Sequence, residues 1–213
     1  MKIFIDTSNI NEIREFKNWG IISGVTTNPK ILATDGNISN YESVIKEICR
    51  LVYPHPVSVE VTSNKCNEMV EEGEKYSRWY NNIVIKIPVT EEGLKAVKIL
   101  SEKKMIVNAT VCMSAHQALL AALAGAKYVS IFYGRVGDLG IDASQVVKDT
   151  VKFLSGIDAK LIIGSIRSVK DVVDSMLAGA DIITITPPIL KKMIQNPKTD
   201  ETVKEFLDSW TKK

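Results

Sequence analysis

The sequence predicts an α/β chain folded as one closed (β/α)8 TIM barrel with an additional C-terminal helix. Short β-branched runs alternate with amphipathic segments eight times along the chain. Such alternation builds a parallel sheet through right-handed crossovers. No linker, low-complexity tract or long charge run interrupts the pattern, so residues 1–213 read as a single domain. Polar residues also gather on one parity of the strands, toward their C-terminal ends, where this architecture builds its sites.

The strands are expected over 3–6, 24–28, 57–61, 83–89, 105–110, 128–132, 161–165 and 182–186. Helices are expected over 9–18, 41–50, 64–78, 91–103, 114–124, 143–154 and 169–178. Thr7-Ser8-Asn9 ahead of Asn11-Glu12 offers a cap and an acid at the positive helix start. Gly125 and Gly179, each between alanines, stand where a helix should end before the next strand. A final helix is expected over 202–210, after Pro187-Pro188 and a short helical run. Trp210 on that helix needs a surface, either this barrel or a neighbouring subunit.

Composition excludes several classes. The chain has 213 residues, 45% hydrophobic and 24% charged, enough for one sizeable core. The net charge is +2 with lysines dispersed among acids, so there is no basic stripe for nucleic acid. No apolar run approaches the ~20 residues of a membrane span, and Met1–Asp6 holds no signal-peptide core. Cys49, Cys66 and Cys112 are an odd, scattered set, which fits a reducing cytoplasm. His55 and His116 lack metal-spaced partners and no Walker loop is present, so neither a metal nor a cofactor is expected.

Side chains alternate across a strand, and polar residues are costly where both faces are covered. In 83–89 (IVIKIPV) the odd positions are isoleucine or valine, and Lys86 shares its face with Val84 and Pro88. Asp6 opposes Ile3 and Ile5, and Ser58 with Glu60 opposes three valines. Thr26 shares a face with Asn28, Asn108 with Thr110 and Ile106, and Ser130 with Tyr128 and Phe132. In the seventh strand the polar parity carries Ser165 and then Arg167. Singly, each has a plainer reading. Lys86 can snorkel to solvent, Asp6 can cap a helix, Glu60 can sit on the surface, and Asn108 and Thr110 can satisfy barrel-end backbone. Together they converge on one mouth.

A lysine on an apolar barrel strand loses hydration as a cation, which frees its amine for attack on a carbonyl. The iminium so formed is an electron sink for breaking a neighbouring C–C bond. Asp6 is then a candidate base, and Glu60 with Thr110 a candidate pair for moving water. Asn28 and Asn108 are placed to hold hydroxyls. Arg135, Ser165 and Arg167 form a candidate phosphate clamp.

The segments holding these residues resemble the transaldolase family, in its short subgroup shared with fructose-6-phosphate aldolase. The matching stretches are FIDTSNINEI, GVTTNPKIL, VSVEV, VIKIPVTEEGLKAV, NATVCMSAHQALLAALAGAKYVSIFYGRVGD, GSIRSVKDVVDSMLAGADIITITPP and NPKTDETVKEFLDSW. They cover nearly the whole chain in order. The resemblance implies a Schiff base on Lys86, Asp6 as acid/base for C–C cleavage, and Glu60 with Thr110 around a catalytic water. It implies Asn28, Asn108 and Ser130 around a dihydroxyacetone moiety, with Thr26 and Phe132 in the substrate-facing set. Arg135, Ser165 and Arg167 would bind phosphate. Members of the aldolase branch resemble one another in glutamine at the position of Glu60 and tyrosine at that of Phe132, so this chain is transaldolase-like at both. It departs from the family at NATVCMS and in Ile131, where proline is usual, which bears on acceptor preference.

The expectation is a pentose-phosphate-pathway transaldolase, moving a dihydroxyacetone unit from sedoheptulose 7-phosphate or fructose 6-phosphate to an aldose phosphate. The alternatives are a lyase using free dihydroxyacetone and glyceraldehyde 3-phosphate, and a sugar-phosphate binder without catalysis. The scattered thiols point to the cytoplasm, and the resemblance also implies a homo-oligomer, pentamer or decamer.

Overall fold

A computed structural model describes residues 1–211. Eight parallel strands close into a barrel in sequence order: β1 (Lys2–Asp6), β2 (Ile22–Thr26), β3 (Val57–Glu60), β4 (Ile83–Pro88), β5 (Val107–Cys112), β6 (Tyr128–Phe132), β7 (Lys160–Gly164) and β8 (Ile182–Ile185). β8 pairs with β1 and completes the closure. The helices are α1 (Ile10–Asn18), α2 (Pro29–Thr34), α3 (Tyr41–Val52), α4 (Cys66–Ser77), α5 (Glu91–Glu102) and α6 (Ala115–Leu123). They continue with α7 (Tyr133–Asp138), α8 (Ala143–Phe153), α9 (Val169–Leu177), α10 (Pro187–Ile194) and α11 (Pro197–Thr211).

The expected parity sorts two apolar layers. Ile5, Val25, Val57, Val59, Ile85, Ile87, Val107, Ala109, Val129, Ile131, Ile163 and Ile183 face outward into a core shared with the helices. Inside the barrel, Phe4, Ile162 and Ile182 form a separate apolar plug, with Tyr128 against it. Gly24 makes room for that plug, since a Cβ there would lie 2.6 Å from the Phe4 ring. Closing the N-terminal end with hydrocarbon leaves the polar groups of the same parity at the other end.

Helix starts at that end are capped by their own loops. Asn9 accepts from the amides of Asn11 and Glu12, Thr90 caps α5, Ser114 caps α6 and Asp142 caps α8. Ser168 and Asp171 form a reciprocal capping box on α9. Each cap satisfies helix amides that would otherwise be orphaned and fixes the loop leading out of a strand.

The structure departs from the sequence reading in several places. β2 ends at Thr26 rather than 28, because Asn28 leaves the sheet to cap α2 through Ile31 N, with Pro29 in the first turn. β5 runs to Cys112 instead of stopping at 110, and its pairing with β6 shifts register between Ala109 and Cys112. Val111 takes φ 65° there, so Cys112 inherits the buried outward position. In β7 the expected parity is reversed: Leu161 and Ile163 face the helices, and Ile162 and Gly164 face inward. Finally, α11 begins at Pro197 rather than 202, and none of its residues is buried, Trp210 being 78% exposed. No described helix is long and apolar enough to cross a membrane.

Candidate active site

A cavity of about 430 Å³ opens at the C-terminal mouth of the barrel, above the apolar plug. Lys86 stands on its wall with a side chain only 6% exposed. Its Nζ lies 3.0 Å from Glu60 Oε2 and donates to the Thr27 carbonyl at 3.1 Å. Strand register places this contact, because Glu60 pairs with Lys86 and Lys86 with Asn108 across β3, β4 and β5. One amine, one carboxylate and one amide therefore sit side by side.

Two hydrogen-bonded chains hold the surrounding groups. Ser130 Oγ donates to Asn108 Oδ1 at 2.7 Å, and Asn108 Nδ2 donates to Ser58 Oγ at 3.3 Å. Both amide ends of Asn108 are thus engaged, and its orientation is set. Thr26 Oγ1 lies 2.7 Å from Asp6 Oδ1 and 2.5 Å from Thr184 Oγ1. Burial pushes the Asp6 carboxyl above its ordinary range; the Lys86 cation and the Thr26 hydroxyl pull it back, and Glu60 adds to the rise. Asp6 is thus a strand-anchored carboxyl with raised proton affinity facing the same cavity as a buried amine, the environment in which acid/base groups occur.

Thr110 Oγ1 is buried on the same wall and has no hydrogen-bond partner among the described residues. An unsatisfied buried hydroxyl is rare unless something polar is to meet it. Asn28 lines the cavity with its Oδ1 given to the α2 cap, so its amide nitrogen is the group left to face a ligand. Phe132 forms part of the wall, with the Arg135 guanidinium 5.4 Å from its ring centroid.

The cavity gathers Asp6, Thr26, Asn28, Lys86, Asn108, Thr110, Ser130, Phe132, Arg135 and Ser165. Glu60 joins through Lys86. Ser165 reaches the cavity by a different route from the one its strand parity implies. It lies one residue past β7 at φ 57°, and this left-handed turn redirects it inward. Arg167 is not brought in. Its Nη1 and Nη2 are held by Asp138 at 2.6 Å each, and it lines a neighbouring cavity instead. Of the three residues expected to form a clamp, Arg135 and Ser165 line the cavity and Arg167 does not.

Sequence reasoning passed over Thr184, Thr186, Lys30 and the Thr27 carbonyl. The threonines had a legible signal: Ile182-Ile183-Thr184-Ile185-Thr186 repeats the polar parity of the other strands. Lys30 sits on the rim after β2, across the barrel from Arg135 after β6. Among the described residues no group of three or more His, Cys, Asp or Glu is arranged to hold a metal ion.

Both the fold and the sequence have known relatives. Among solved structures, a thiamine phosphate pyrophosphorylase from Pyrococcus furiosus superposes with a TM-score of 0.62 over 87% of this chain and 85% of its own. At 14% identity that likeness concerns the fold alone. A probable transaldolase from Symbiobacterium thermophilum is 45% identical over 99% of this chain and 97% of its own length. One from Alkaliphilus metalliredigens is 44% identical over 99% and 98%, and one from Thermoplasma acidophilum 44% identical over 100% and 96%. The sequence model of one family, Transaldolase/Fructose-6-phosphate aldolase, matches residues 3–213, and the chain belongs to that family.

Proposed function

We propose that the protein is a transaldolase that carries a three-carbon unit on Lys86. The observation that carries this reading is the buried Lys86 amine, 3.0 Å from Glu60 and facing the same cavity as Asp6. The amine adds to the C2 carbonyl of a ketose phosphate, and the carbinolamine loses water to give an iminium. Glu60 accepts the ammonium proton and returns it to the departing hydroxyl, with Thr110 as the hydroxyl that steadies the water. Asp6 takes the C4 hydroxyl proton while the C3–C4 electron pair moves into the iminium. The aldose phosphate leaves, and an enamine remains on Lys86. A second aldehyde accepts that enamine by the reverse steps.

Asn108, Ser130 and the Asn28 amide are assigned to the hydroxyls of the three-carbon unit, and Thr26 to the orientation of Asp6. Arg135 and Ser165 are assigned to the substrate phosphate. Glu60 and Phe132 favour transfer over release: an ionisable group moves protons at the water site, and a phenyl ring supplies no proton to discharge the enamine. The relatives named as probable transaldolases support the same choice. The reading places the enzyme in the cytoplasm, in keeping with three buried free cysteines. It also makes it a homo-oligomer, because Val203, Phe206, Leu207 and Trp210 form an exposed apolar stripe at helical spacing on α11.

The test is acceptor dependence. Fructose 6-phosphate alone should give at most one equivalent of glyceraldehyde 3-phosphate per active site, and erythrose 4-phosphate should make release catalytic. Sustained release without an acceptor would assign the chain to the lyase branch.

A further inference from the structure

The Asp138–Arg167 pair has no part in the chemistry above, yet the fold is arranged around it. Arg167 precedes α9, and its backbone amide is held by Asp171 at 2.8 Å. Its side chain crosses to α7 over Gly134, where a Cβ would lie 2.6 Å from Nε and 2.5 Å from the Ser165 carbonyl. The guanidinium then meets Asp138 through two parallel hydrogen bonds of 2.6 Å. Arg135, Arg167 and Asp138 line one cavity of about 540 Å³, while Arg135 also lines the catalytic cavity. The hydrogen bonds from Arg167, and then the charges of Arg167 and Arg135, hold the Asp138 carboxyl below its ordinary range. A carboxylate therefore sits among the cations best suited to a phosphate dianion, in the planar two-point geometry such a group uses.

We propose that Asp138 is a specificity-determining residue that competes with the substrate's phosphate for Arg167, so that Arg167 binds phosphate only when this ion pair opens. The proposal rests on the phosphate assignment of Arg135 and Ser165 made above. Both partners are 54% exposed, and a solvated pair of this kind opens readily. A dianion brings twice the charge of the carboxylate it displaces. Arg135, with no ion pair of its own among the described residues, attracts the anion first, and Arg167 follows.

The test compares the parent, Asp138→Asn and Asp138→Glu on fructose 6-phosphate and on unphosphorylated fructose, with inorganic phosphate as inhibitor. Asp138→Asn should lower KM for the phosphorylated donor, and the phosphate inhibition constant, by about two- to fivefold. The effect should fall on KM rather than kcat and be absent with unphosphorylated fructose. Asp138→Glu should restore parent behaviour, and the gain should vanish in an Arg167→Gln background. An unchanged or raised KM in Asp138→Asn, or an equal shift with unphosphorylated fructose, would overturn the proposal. Calorimetric binding of inorganic phosphate to the same variants, without turnover, separates failure of this proposal from failure of the transaldolase reading. Tighter phosphate binding by Asp138→Asn supports it, and unchanged or weaker binding refutes it.

Discussion

Replacing Lys86 by methionine removes the amine and also strands a carboxylate. The Lys86 and Glu60 side chains are 6% and 13% exposed and 3.0 Å apart. At that separation, with an effective dielectric near 20, the gross attraction is about 5 kcal/mol. Breaking one side of such a buried pair typically costs about 3–5 kcal/mol, because the partner keeps its desolvation penalty without compensation. Lys86→Met should therefore lower stability by about 3–5 kcal/mol, or about 6–20 °C in Tm for a domain of this size. Adding Glu60→Gln removes the stranded charge, so the double variant should regain most of the loss, unlike the additive behaviour of independent sites.

Asp6 adds a pH signature. The Lys86 cation pulls its carboxyl downward, so the methionine variant leaves Asp6 raised further above 3.8. With a raised folded-state pKa, stability is greatest below the unfolded value and falls as pH rises through the folded one. Lys86→Met should consequently lose more stability on going from pH 5 to pH 8 than the parent does. Urea denaturation followed by tryptophan fluorescence measures both effects. A single variant as stable as the parent, or a double variant no better than the single, would refute the buried ion pair.

Three further predictions follow from particular contacts. Asp6→Asn should lose C–C cleavage by about 10²–10⁴-fold, yet be more stable than the parent at neutral pH; that advantage should shrink toward pH 4, as the parent's raised Asp6 takes up its proton. Gly24→Ala sets a methyl 2.6 Å from the Phe4 ring within the plug, and denaturation should show a loss of about 1–3 kcal/mol. Cys49 and Cys112 are buried, with thiols pushed up to about 12, so a thiol reagent at pH 8 should label neither until the protein unfolds.

The barrel and most of its mouth were legible because one rule repeats. Apolar and polar residues alternate on β1 to β6, and Asp6, Glu60, Lys86, Asn108 and Ser130 fall on the inward parity for that reason alone. What escaped the rule depends on single backbone torsions or long-range pairs. Ser165 enters the cavity through φ 57°, against its strand's parity, and Val111 shifts the end of β5 through φ 65°. Strand periodicity carries no trace of either. Helix α2 had a signal in Asn28-Pro29, a cap followed by proline, but its six residues are too short for a periodic stripe. Helix α7, YGRVGD, holds two glycines in six residues and offers no propensity to read. The position of Arg167 after β7 points to a phosphate clamp, whereas its partner Asp138 lies 29 residues earlier, at the end of α7. Only the folded chain brings these two together.

The central claim is that Lys86 carries the three-carbon unit, and reductive trapping tests it most directly. Borohydride added during turnover of fructose 6-phosphate should inactivate the enzyme and add one reduced dihydroxyacetone unit per chain. Peptide mapping should place that unit on Lys86. A modification at any other lysine, or full activity after borohydride with substrate present, would contradict the account.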